Sequence, residues 1–82
     1  MKYIVKNFLP GKACEIEMYS ENDLDTDLLT FKNDSDRQNK KDAIFTHYQA
    51  AIEQKVGSRV EIIGLIEDKK YPQKADVSYK IK

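Results

Sequence analysis

One cysteine, Cys14, stands in a chain of 82 residues, so no disulfide can close within it and no multi-cysteine zinc site can be assembled. That usage suits a reducing, cytoplasmic setting. There is one histidine, His47, and no tryptophan, and none of the three glycines stands in a glycine-rich loop ahead of a helix. Walker and dinucleotide-binding patterns are therefore missing, and no cofactor is expected. Long apolar runs are missing too. The longest, Ile62 to Ile66, is far short of the roughly 20 residues needed to cross a bilayer. Met1 to Phe8 alternates polar with apolar residues and lacks the apolar stretch of about 7 to 15 residues that a signal peptide needs. Neither membrane insertion nor secretion is expected. Arginine is scarce as well: of fourteen bases only Arg37 and Arg59 can fork onto a phosphate with two parallel bonds.

What remains is 40% hydrophobic and 34% charged, too apolar for a disordered tail and too polar for a membrane protein. Residues 1–82 make a single domain by length, since a domain typically takes about 100 to 150 residues. A chain this short hides roughly 60 to 65% of the surface its unfolded form exposes, which excludes a large cleft between lobes. Fourteen acids balance fourteen bases, but unevenly. Residues 1–14 carry Lys2, Lys6 and Lys12 and no acid, whereas residues 15–36 carry Glu15, Glu17, Glu21, Asp23, Asp25, Asp27, Asp34 and Asp36 against Lys32 alone. Bases predominate again from residue 37 onward.

Tyr3 to Phe8 is rich in β-formers and runs into Leu9-Pro10-Gly11-Lys12, where proline presets the first central turn position and glycine accepts positive φ at the second. Cys14, Ile16 and Met18 then alternate with Glu15 and Glu17, so the pattern predicts an antiparallel hairpin. In residues 20–34 Leu24, Leu28 and Phe31 are spaced for one helical face while Leu28 to Phe31 fits a short strand equally well, so the stretch reads as irregular, with room for a third strand near Leu28 to Lys32. Ser35 as cap, Asp36 in the first turn and Gly57 as left-handed stop bracket a helix over about 36–56. Its stripe is Ile44, Tyr48, Ala51, Ile52 and Val56. The first two turns carry no apolar residue before Ala43, and they are expected to project past the sheet. Arg59 to Glu67 reads as a strand with Val60, Ile62 and Ile66 on one face and Ile63 and Leu65 on the other. Asp68 to Gln73, with Tyr71-Pro72, is turn chemistry. Ala75, Val77, Tyr79 and Ile81 then alternate with polar residues. The expected fold is α+β: a small antiparallel sheet of about four strands in ββ-α-ββ order, with one long helix packed on one face.

Catalytic chemistry is thinly equipped. Cys14 and His47 are the one pairing of nucleophile and base available, but Cys14 falls on the apolar face of a patterned strand, where a free cysteine is usually a small hydrophobe. No catalytic residue is assigned and no enzyme expected. Asp23, Asp25 and Asp27 have the spacing of the first EF-hand ligands, with Asp34 at the twelfth position. Leu28 stands where that loop demands glycine, and the twelfth ligand would be a short aspartate, so no metal site is assigned.

Recognition is the more natural role. A helix covers one face of a four-stranded sheet and leaves the other to water or to a partner. Ile63 and Leu65 are expected on that second face, extended by Tyr3 and Val5 if those are neighbours, unless Leu24, Leu28, Leu29 and Phe31 fold over and bury it. The acidic stretch adds a field that attracts basic sites. The leading expectation is a non-catalytic cytoplasmic protein-binding module, of the size of small regulators or inhibitors from phage and other mobile elements. It would dock through Glu15, Glu17, Glu21, Asp23, Asp25, Asp27, Ile63 and Leu65. Its partner would be another protein, such as a basic nucleic-acid-handling one, and a homodimer through sheet face or edge is a further route. The alternative is nucleic-acid binding through Lys69, Lys70, Lys74, Lys80 and Lys82.

Overall fold

The computed structural model of the protein describes residues 1–68 and 73–82. Among the described residues the chain runs β1 (Lys2–Leu9), β2 (Ala13–Tyr19), α1 (Asp23–Leu28), α2 (Asp34–Val56), β3 (Val60–Glu67) and β4 (Lys74–Ile81). The strands form one antiparallel sheet in the order β1-β2-β4-β3, so β1 and β3 are its edges. The long helix α2 packs across one face, and the class is α+β as expected.

The first hairpin closes as its residues dictate. Gly11 takes a φ of 72°, and the Lys12 amide donates to the Leu9 carbonyl at 3.0 Å. Buried Cys14, Ile16 and Met18 face α2 from β2, joined by Ala75, Val77 and Tyr79 from β4 and by Val60. They meet Ile44, Tyr48, Ala51 and Ile52 of α2, which is the stripe that the helical spacing marks out. Burying such side chains is worth about 1.5–3 kcal/mol each, which makes this layer the main source of stability. Gly57 ends α2 in the left-handed conformation with φ 77°, its amide donating to the Glu53 carbonyl.

Residues 20–34 differ from expectation. No strand forms near Leu28 to Lys32. A short helix, α1, stands instead, because Asn22 accepts the Asp25 amide at 2.9 Å and so nucleates a turn. Leu28, Leu29 and Phe31 pack on the rim of the core beside α2. The cap of α2 is likewise not Ser35 but Asn33, whose side chain accepts the Asp36 amide at 2.8 Å. The early turns of α2 do not project freely. Lys40 reaches back to the carbonyls of Asp27 (2.7 Å) and Thr30 (2.8 Å) and to Asp36 (3.0 Å), while Arg37 lies over the Phe31 ring and 3.7 Å from Glu67. Polar residues thus hold α1 against α2 where apolar ones are lacking.

The strand β3 carries the other difference. Ile62 pairs with Tyr79 and Gly64 with Ser78, so Ile63 is an extra, bulged residue. The bulge reverses the phase of every residue after it. Leu65, opposite Val77, turns toward the core, and Ile66, opposite Asp76, turns outward. The expected face pairing of Ile63 with Leu65 is therefore broken. Tyr3 and Val5 also lie on the α2 side, since they pair with Met18 and Ile16.

Candidate protein-docking face

Because α1 and the segment after it pack beside α2, no element among the described residues covers the opposite face of the sheet. Pairing register sets its layout. Glu15 lies opposite Asp76, Glu17 opposite both Ile4 and Lys74, Ala13 opposite Ser78, and Ile66 opposite Asp76 on the far side of β4. Two carboxylates thus face each other directly on the central strands, an arrangement that costs stability in a sheet. Glu15 accepts from Asn7 Nδ2 at 2.9 Å. Glu17 is better matched: Lys6 Nζ at 2.8 Å and then the Tyr19 hydroxyl hold its carboxyl below the usual carboxylate range.

Between β2 and the C-terminal half of β3 lies a shallow depression of about 380 Å³. Among the described residues Glu15, Glu17, Glu67, Asp68, Asp76 and Lys74 line it, and Ile66, 72% exposed, forms its apolar wall. Sequence reasoning found Glu15 and Glu17 but missed Asp76 and Ile66. The signal for Asp76 was its place on the polar side of an alternating strand; the signal for Ile66 was Gly64, which marks the bulge.

The other acids lie elsewhere. Glu21 (2.8 Å) and Asp25 (2.9 Å) clasp the Met1 ammonium on the helix side of the molecule. Those two partners, Glu21 first, raise the ammonium pKa. Asp25 in turn is held low by the Glu21 amide and then by the ammonium. Asp23 and Asp27 lie on α1, Asp27 near Lys40. Glu21, Asp23 and Asp25 therefore belong to the start of α1 and Asp27 to its last turn, and none of the four lines the depression beside Glu15 and Glu17. Ile63 is exposed at the edge strand and Leu65 faces the core.

Of the lysine set, Lys74, Lys80 and Lys82 lie among the described residues. Lys69 and Lys70 lie outside the described residues. Lys74 and Lys80 sit among carboxylates, with Lys80 3.3 Å from Glu61, and Tyr79 is buried under α2. Cys14 is buried in the core, and burial pushes its thiol up. His47 Nδ1 lies 2.6 Å from the Tyr3 hydroxyl, in hydrogen-bond contact, and shares no hydrogen bond with Cys14. Among the described residues no three His, Cys, Asp or Glu are placed to hold a metal ion, and no helix is long and apolar enough to cross a membrane. Compared with known proteins, the chain matches no family model, no curated protein and no solved structure. Its geometry alone supports a functional reading.

Proposed function

We propose that the protein is a non-catalytic cytoplasmic protein-binding module that docks through the open face of its sheet onto a basic surface of a partner, in the manner of a small regulator or inhibitor. One observation carries this reading: Glu15 and Asp76 face each other across the central strands of the open face, beside exposed Ile66. A lysine or arginine of the partner placed between Glu15 and Asp76 relieves their mutual repulsion, and its aliphatic stem covers Ile66. Such relief occurs only in the complex, so it adds to affinity. Surfaces that hold nucleic acid are basic grooves of this kind, which makes a nucleic-acid-handling protein the natural class of partner.

A lysine- and arginine-rich peptide followed by fluorescence anisotropy tests the reading. Binding is expected to weaken as salt rises and to fall by about tenfold in the double variant Glu15→Gln, Asp76→Asn. Equal affinity of the variant for the peptide, or a nucleic-acid gel shift at low salt that the peptide cannot compete away, contradicts it.

A further inference from the structure

The two edges of the sheet are unlike. β1 carries Lys2 and Lys6 and an irregularity at Asn7 with a φ of 50°, devices that discourage another strand from pairing with it. β3, with sequence VEIIGLIE, contains neither lysine nor proline. Its two charges are already matched within the chain, Glu61 by Lys80 at 3.3 Å and Glu67 by Arg37 at 3.7 Å. Exposed apolar side chains gather along it: Ile63 at 62%, Ile66 at 72% and, on the overhanging helix, Phe45 at 38%. Beneath Phe45 a groove of about 670 Å³ separates α2 from β3, lined by Phe31, Ile44 and Leu65 together with Arg37, Lys41 and Glu67.

The bulge gives this edge a symmetry. On the α2 side β3 presents Val60 and Ile62 before the bulge and Leu65 and Glu67 after it; on the open side it presents Glu61 before and Ile66 after. The facing pattern is therefore palindromic about Ile63 and Gly64. Strands related by a two-fold axis normal to the sheet must pair residues that face the same way. Without the extra residue, a centre between two neighbours would pair opposite faces.

We propose that the protein forms a two-fold dimer in which β3 pairs antiparallel with β3 of a second copy. Ile62 then lies opposite Leu65 of the second copy, Glu61 opposite its Ile66, and Ile63 opposite its Gly64, where no side chain competes for the space. The partly buried Ile62 of each copy extends the lining of the other's groove beside Phe45. That contact carries the interface beyond strand pairing alone, toward the roughly 1,200–2,000 Å² of stable interfaces. The seam leaves Glu15 and Asp76 open and adds the second copy's Glu61 at the rim of the depression, so dimerisation and peptide docking can fail separately.

Sedimentation of the intact chain across a concentration series tests the proposal. The expected result is the mass of two chains, falling to one on dilution. Ile63→Lys and, independently, Phe45→Glu each raise the dissociation constant at least about tenfold, with far-UV circular dichroism unchanged because both side chains are exposed. Ile4→Lys, on the opposite edge strand, leaves it unchanged. A single-chain mass at every concentration overturns the proposal, as does a dimer indifferent to both edge variants or one lost with Ile4→Lys.

Discussion

Tyr79 shows how much one side chain adds beyond its place in a pattern. Alternation in β4 identifies it as a core residue, and its ring is buried and stacks on Phe8. Its hydroxyl does a second thing that periodicity cannot reveal: it accepts the Gly11 amide at 3.0 Å and lies 3.4 Å from the Leu9 carbonyl, tying the first turn to β4. Tyr79→Phe is expected to cost about 1 kcal/mol in urea denaturation, while Phe8→Ala, which removes packing, costs more. Charged residues make an equally specific prediction. Asp36, held low by the Lys32 amide and then by Lys40, titrates below its unfolded value, as do Glu17 and Asp25. A depressed carboxyl contributes stability above its unfolded pKa and loses it as pH falls through the folded one. Thermal unfolding midpoints should therefore fall as pH drops through and below the ordinary carboxylate range. The Met1 ammonium works in the opposite sense: its raised pKa gives stability that is complete below the ordinary range of a terminal amine and lost as pH climbs through the raised value. Acetylating that amine should remove its share of the alkaline loss and leave the share of Lys6, whose ammonium the Glu17 hydrogen bond holds up.

At the scale of elements, the hairpin, α2 and β4 were legible because each has a strong local period and a turn or cap with a mechanism. α1 was not, although its signal is in the chain twice. Asn22-Asp23-Leu24-Asp25 and Asn33-Asp34-Ser35-Asp36 share one pattern, in which the asparagine accepts the amide three residues on. The second aspartate reaches back to the amide before the asparagine, of Glu21 in one case and Lys32 in the other. Counting these aspartates as an acidic patch hid their work as helix starts. Asn33→Ala should cost about 1 kcal/mol and Ser35→Ala close to nothing, a contrast that chemical denaturation can resolve. The α1 segment has little apolar burial of its own, with Leu24 83% exposed, and depends on the reach of Lys40. Lys40→Met should accordingly speed amide exchange over residues 23–30 while leaving the Ile44–Ile52 helix protected. The bulge in β3 escaped for another reason: Ile62, Ile63, Leu65 and Ile66 are all apolar, so either phase satisfies the pattern. Gly64 alone marked the shift.

Across the whole molecule, the division into one covered and one open sheet face follows from having a single long helix. The lysines of β4 and the acids of β2 were separate surfaces in the sequence; pairing places Lys74 opposite Glu17 and Asp76 opposite Glu15 on one face. The candidate site was thus half legible, since Glu15 and Glu17 lie on a patterned strand, whereas Asp76 and Ile66 join them only through strand order and the bulge. The most direct test is a backbone amide shift map of the protein titrated with the lysine- and arginine-rich peptide. Recognition through the open face predicts that the largest changes cluster at Glu15, Glu17, Ile66 and Asp76, with the exposed surface of α2 unmoved. Changes centred on α1 and α2 would contradict it.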